Sequence, residues 1–266
     1  MAARTEPRPS VRPDVAVAVR DLWAGYDDAP VLESVSFEIP AGSLVGLAGP
    51  NGSGKSTLLK TILGLLKPWR GSIELFGLPI NAARQRVGYA PQAELVDWDF
   101  PATVRDVVMM GRYGRIGLLR RPGRPDRAAV ERALEQVDLA DLAERQIGEL
   151  SGGQQRRMLI ARALAQEADL LLLDEPMSGL DAVSQHQLLT LFEDLRNAGK
   201  TLLVATHDLS CVAACFDLAL LLNRRLLAQG PPAQVFTPQA LSDAFAGHLL
   251  LIPTEGGVYV EHHEHG

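Results

Sequence analysis

The sequence predicts an α/β fold in which an antiparallel β layer lies beside a parallel, helix-covered core, with an α-helical subdomain inserted midway. Three observations predict it. Short apolar segments bounded by Gly and Pro cluster in the first third, and near-continuous apolar runs occupy the second half. Between them, over about residues 93–150, strand signals fade while helical periodicity persists. With 266 residues and 47% hydrophobic content, the chain is long enough for one large domain carrying an insertion.

Each element can be justified in order. Residues 1–14, "MAARTEPRPSVRPD", are rich in Arg and Pro and lack the apolar segment of a signal peptide or anchor, so they are expected to be disordered. The stretches "VAVAVRDLW", "VSFEI" and "GSIELFG" alternate or bunch apolar residues over short spans, as strands of an antiparallel layer do. "GSLVGLAG" is an apolar strand, and Leu58, Leu59, Ile62, Leu63 and Leu66 then follow with helical spacing. Within the insertion, Val130, Ala133, Leu134 and Val137 mark one face of a helix. "DLLLLDEP" and "TLLVATHD" have the continuous apolar character of central parallel strands covered on both faces. Residues 15–245 thus form the folded unit, and the tail 246–266, ending in "EHHEHG", is expected to be partly disordered.

Composition narrows the function classes. A net charge of -6 offers no broad attraction for nucleic acid, whose binders carry a basic face. No apolar run reaches the roughly 18–20 residues of a membrane-spanning helix, so work at a membrane requires another chain to cross it. Cys211 and Cys215 are four apart in a helical pattern, without redox or zinc spacing, and read as small core residues of a protein in a reducing cytoplasm.

The chemistry sits in short motifs. "GPNGSGKST", Gly49 to Thr57, has the P-loop spacing G-x-x-x-x-G-K-[ST], and it follows a strand and opens a helix. Its residues Gly49, Pro50, Asn51, Gly52, Ser53, Gly54, Lys55, Ser56 and Thr57 form a candidate ATP cradle. Backbone N–H groups from Gly52 to Ser56 would hold the phosphates, Lys55 would reach the β and γ groups, and Ser56 would ligate Mg²⁺. "LLLLDEP" adds Asp174 as Mg²⁺ support and Glu175 to orient an attacking water. Gln92 in "GYAPQ" can bind metal or water where the insertion begins, and His207 in "ATHD" follows a strand end, where α/β sheets gather ligand-binding groups. Tyr26 in "AGYDDAPVL" offers a flat face for adenine, though an aromatic there also suits packing. A second anion site appears in "LSGGQ", where paired glycines behind a serine open a helix-like run.

In that order, "GPNGSGKST", "YAPQ", "LSGGQQRR", "LLLLDEP", "SGLD" and "ATHD" resemble the ATP-binding subunit of an ABC transporter. The resemblance implies a P-loop NTPase of the ABC ATPase kind, with the helical subdomain inserted in a RecA-like core. It implies that two copies pack head to tail around two ATP molecules. Ser151, Gly152, Gly153 and Gln154 then complete the site on the partner protomer, with Asp181 across the same interface. Catalysis falls to Glu175, His207 and Gln92, and Mg²⁺ to Ser56, Gln92 and Asp174.

The segment from Val96 to Arg127 and the later "THDLSCVAACFDLALLLNRRLLAQGPP" are similar to ATPases of the manganese, zinc and iron uptake branch. That branch implies integral membrane permease subunits, an extracytoplasmic metal-binding protein, and a position on the inner face of the cell membrane. "DEPMSGLD" departs from the branch, which more often has Phe and Thr before the glycine and Val after it. The alternatives are a soluble ABC ATPase acting on cytoplasmic partners and an ATPase for a non-metal substrate. Trp98 and Phe100 can form an apolar docking knob or fold into the insertion. The arginines from Arg112 to Arg127 can face anionic headgroups or bulk water. His262, His263 and His265 suit divalent metals or are incidental to a polar tail.

Overall fold

The computed structural model describes residues 14–117, 120–245, 249–254 and 257–262. The chain begins with strands β1 (Val15–Tyr26), β2 (Ala29–Pro40) and β3 (Leu44–Ala48), helix α1 (Lys55–Ile62), and strands β4 (Arg70–Leu75) and β5 (Leu78–Pro79). The one-turn helix α2 (Ile80–Ala83) and strand β6 (Val87–Ala90) complete this part. Four helices follow: α3 (Val104–Met110), α4 (Tyr113–Ile116), α5 (Arg124–Gln136) and α6 (Gly152–Ala165). Then come β7 (Leu170–Asp174), α7 (Ala182–Asn197), β8 (Thr201–Thr206), α8 (Leu209–Cys215), β9 (Leu218–Asn223) and β10 (Arg225–Gly230). Helices α9 (Pro232–Val235) and α10 (Pro238–Phe245) precede a hairpin of β11 (Leu249–Thr254) and β12 (Gly257–His262).

Two sheets face each other. One is antiparallel, in the order β2-β1-β4-β5; the other runs β10-β9-β3-β8-β7-β6, parallel except for β10 at its edge. Every residue of β7 and β8 is buried, and the two-residue alternation of a strand divides them between two cores. Leu170, Leu172, Leu203 and Ala205 join the core shared with α1 and the antiparallel sheet. Leu171, Leu173, Leu202 and Val204 join the core shared with the helices, including Val130, Ala133 and Leu134 of α5 and Val137 at its C-terminal cap. A strand apolar on every residue is what a two-sided core requires. Leu172→Ala would cost about 2–5 kcal/mol by opening one of those cores.

Several expectations need correction. The helical spacing after the P-loop runs to Leu66, yet α1 stops at Ile62. Gly64 takes φ 71°, and its N–H bonds to Thr61 O while that of Leu65 reaches Lys60 O, the paired bonds of a left-handed helix cap. Strands β6, β9 and β10 are not among those the sequence pattern predicts. β6 is only four residues long, and β10 alternates exposed with half-buried residues at the sheet edge. Arg112 is not on a solvated face. It is 6% exposed and donates to Asp126, Glu167 and the Ala165 carbonyl, whereas Arg115, Arg124 and Arg127 are exposed.

Cys211 and Cys215 are half-buried rather than full core members. Cys211 Sγ lies 3.8 Å from Met177 Sδ, and burial pushes its thiol up to about 12, so it is an unreactive packing residue. Trp98 and Phe100 separate. Trp98 packs partly against the helical core and donates Nε1–H to Ala93 O at 2.9 Å, while Phe100 is 53% exposed. In the tail, the β11–β12 hairpin includes His262; His263 and His265 lie outside the described residues, as does most of the N-terminal segment.

Candidate functional site

The C-terminal ends of β3, β7 and β8 deliver the polar residues that the buried strands themselves exclude. β3 hands directly to the loop from Gly49 to Gly54, which opens α1. Glycine is needed here for two separate reasons. A Cβ on Gly49 would lie 2.1 Å from Leu222 O, so only glycine fits against β9. Gly54 caps α1 with φ 101°, a left-handed conformation that side chains disfavour. β9 and β10 brace the loop from behind, since Arg224 N–H donates to Ser53 O at 2.9 Å. Arg224 also donates its guanidinium to Pro30 O and Glu33. That ties the loop to the hairpin carrying Tyr26, which ends β1 and is 44% exposed.

Lys55 is 7% exposed. Its Nζ donates to Gly49 O at 2.8 Å and Pro50 O at 3.2 Å, and lies 3.7 Å from Glu175 Oε1. Burial lowers its pKa, against the opposing pull of Glu175 and Asp174. Ser56 Oγ donates to Asp174 Oδ1 at 3.2 Å, and Tyr89 OH approaches Oδ2 at 3.5 Å. Burial raises the Asp174 pKa despite the Ser56 bond, and burial followed by the Asp174 charge raises that of Tyr89. A buried carboxylate beside a hydroxyl is an oxygen pair suited to Mg²⁺, whose charge would offset the desolvation.

Glu175 follows Asp174 with φ 49°, a strained angle for a non-glycine residue. Its N–H donates to Ala205 O at 3.0 Å, which stitches the end of β7 to β8. The carboxylate, 11% exposed, sits between Lys55 and the Nδ1 of His207 at 2.9 Å. That hydrogen bond raises the His207 pKa, against partial desolvation. The structure therefore brings Lys55, Ser56, Asp174, Glu175 and His207 into one cluster. Gln92 lies two residues past the end of the adjacent strand β6, which pairs with β7 through Ala90 and Leu173. It is half-buried and opens a short turn over Ala93–Leu95.

A second cluster forms at the N-termini of α6 and α7. Ser151 caps α6, accepting from Gln154 N–H at 3.4 Å while Gln154 Oε1 accepts from Ser151 N–H at 3.0 Å. Asp181 caps α7 through two bonds from Ser184, both 2.9 Å. A Cβ on Gly153 would lie 3.2 Å from Ser184 Oγ, so the two helix starts abut. Among the described residues, no hydrogen bond or ion pair joins Ser151, Gly152, Gly153, Gln154 or Asp181 to Gly49–Thr57. The sequence alone assigns no role to Tyr89, Arg156 or Arg224, although Tyr89 stands in "GYAPQ", Arg156 in "LSGGQQRR" and Arg224 in the stretch from Thr206 to Pro232.

Known proteins resemble this chain over most of its length. Residues 32–178 match the family described as ABC transporter. The zinc transport system ATP-binding protein TroB of Treponema pallidum is 48% identical over 234 residues, 88% of this chain and 88% of that protein. The manganese transport system ATP-binding protein MntB of Bacillus subtilis is 47% identical, over 89% of this chain and 94% of that one. Among solved structures, an ABC transporter in an inward-facing conformation superposes with a TM-score of 0.80 at 32% identity, covering 93% of this chain and 96% of that one.

Proposed function

The chain belongs to the ABC transporter family of ATP-binding proteins, and we propose from that premise that it works as a head-to-tail dimer driving a permease for manganese, zinc or iron. ATP hydrolysis powering transport is the family's activity; the roles of individual residues are our reading. The observation that carries it is Glu175, held by β7 and β8 between Lys55 and His207 at the mouth of the phosphate loop.

In this reading the N–H groups of Gly52 to Ser56 bind the phosphates, with Lys55 on the β and γ groups. Tyr26 stacks on adenine. Ser56, Asp174 and Gln92 would hold Mg²⁺, which when bound would neutralise charge on the phosphate oxygens. Glu175 accepts the proton of the attacking water, and His207 fixes the carboxylate's orientation through its Nδ1. Ser151, Gly152, Gly153 and Gln154 of the second copy offer helix-start amides to the same γ-phosphate, with Asp181 beside them. ATP then binds the copies together, and hydrolysis releases them.

The permease is proposed to dock in a groove of about 600 Å³ between the core and the insertion, lined by Leu63, Leu65, Ile80, Arg84, Tyr89 and Arg115. Leu65 is 62% exposed and Tyr113, beside the groove, 55%; apolar groups so exposed suit a partner surface. No helix among the described residues is long and apolar enough to cross a membrane, so attachment to the inner face depends on that permease. The relatives name zinc in one case and manganese in another at nearly equal identity, which supports placing cargo choice in the permease and the extracytoplasmic binding protein. Co-purification from solubilised membranes with a polytopic partner, followed by ATP-dependent uptake of manganese and zinc into vesicles, tests the proposal. Purification with cytoplasmic partners alone would favour a soluble ABC ATPase; uptake of neither metal, with the permease present, would favour a non-metal substrate.

A further inference from the structure

Arg156 stands one turn into α6 and bonds both the start of its own helix and a turn far away in sequence. Its Nη1 donates to Gly152 O at 3.2 Å, and its Nη2 donates to Glu94 Oε1 at 3.1 Å. A Cβ on Gly179, just before Asp181, would lie 3.8 Å from Nη2. The guanidinium thus spans from the turn after Gln92 to the first turn of α6, along the edge of the loop that leads to α7. Sequence distance hides the link, because Glu94 and Arg156 are 62 residues apart.

The side chain is poorly arranged for stability alone. It is 10% exposed, yet among the described residues its Nε has no hydrogen-bond partner, and an unpaired buried donor costs free energy. Its acceptor Glu94 is 62% exposed, where an ion pair contributes little. What the arginine does supply is a fixed separation between two loops.

We propose that Arg156 is a positioning residue that locks the first turn of α6 to the Gln92–Leu95 turn, so that a displacement at Gln92 carries the amides of Ser151 to Gly153 with it. The inference rests on the reading of Ser151–Gln154 as half of a composite ATP site. The γ-phosphate on one protomer would then be sensed at Gln92 and expressed at the α6 start offered to the other. Coupling of this kind requires only that the link be made differently in the nucleotide-bound and nucleotide-free arrangements.

The test uses the full chain carrying Glu175→Gln as parent, with Arg156→Gln, Glu94→Gln and the exchange Arg156→Glu/Glu94→Arg added. ATP-driven dimerisation is followed by sedimentation, monomer affinity with a fluorescent ATP analogue, and folding by thermal melting. Both single variants are expected to raise the ATP concentration for half-dimerisation about five- to tenfold, with monomer affinity and melting near the parent's, and the exchange to recover most of the loss. A purely structural role would move melting and leave the exchange unrescued. If Arg156→Gln does not fold, Glu94→Gln at an exposed position still decides the matter. A parent that dimerises, with variants indistinguishable from it or an exchange no better than the singles, overturns this inference alone. A parent that never dimerises with ATP overturns the composite site and this inference together.

Discussion

The starts of α1 and α6 are both glycine-rich helix N-termini with no acidic residue in the first turn, yet they are built for different tasks. At α1 the cap is Gly54, which contributes no side-chain bond, so the amides stay free for an anion while the nearly buried Lys55 supplies charge. At α6 the cap is Ser151, which with Gln154 engages amides of its own turn, and both Ser151 and Gly152 are exposed. One end adjoins a buried lysine and the carboxylates of Asp174 and Glu175. The other ends exposed, with no such charges bonded to it among the described residues. The difference teaches that a helix dipole alone does not define a nucleotide site; the surrounding lysine, carboxylates and buried strand ends do.

The largest expected effect sharpens the α1 side. Glu175→Gln keeps volume but loses the proton acceptor, so hydrolysis should fall about 10²–10⁴-fold while ATP binding persists and dimers accumulate. A phosphate-release assay with parallel sedimentation checks this, and near-normal turnover would remove Glu175 from the base role. Lys55→Ala comes next. Losing a charge-assisted bond to phosphate should weaken monomer ATP affinity about 10–100-fold, measured by titration with a fluorescent ATP analogue. An equal loss in Ser151→Arg would erase the distinction between the two helix starts.

Much of the α1 pocket was legible because its residues lie in contiguous motifs at strand ends. Lys55 and Ser56 follow one apolar run, Asp174 and Glu175 another, and His207 a third. The buried runs themselves revealed the parallel core. What escaped was long-range. Tyr89 reaches Asp174 across 85 residues and Arg224 reaches Glu33 across 191, and no local pattern encodes such pairs. Arg112 looked like one of a solvated series, but the acids that bury it come from α5 and the turn just after α6. β6 was too short to alternate, and Trp98 and Phe100 looked equivalent until the Ala93 carbonyl captured one of them.

The aromatic pair supplies a smaller test, away from both helix starts. Trp98→Ala removes a half-buried ring and its Ala93 bond and should cost about 1–3 kcal/mol, whereas Phe100→Ala should stay within about 0.5 kcal/mol. Thermal melting of the two single variants separates them, and equal shifts would contradict the structure. The smallest effect concerns pH. Because Glu175 raises the His207 pKa above its ordinary 6.5, the stabilisation from the charged pair is present below that value and lost as pH rises through the higher folded value. Proton NMR titration should show His207 titrating above 6.5 in the wild type and returning toward it in Glu175→Gln. An unchanged midpoint would mean the 2.9 Å contact does not persist in solution.

The composite-site claim is tested most directly by mixing Lys55→Ala with Ser151→Arg and following ATP-dependent association and hydrolysis. Each chain alone retains one kind of half-site and should neither associate nor hydrolyse. Together they assemble one site with an intact Gly49–Thr57 loop facing an intact Ser151–Gln154 helix start, so the mixture should associate with ATP and hydrolyse it above either chain alone. A mixture no more active than its separate components, or a Ser151→Arg chain that hydrolyses normally by itself, would contradict the account.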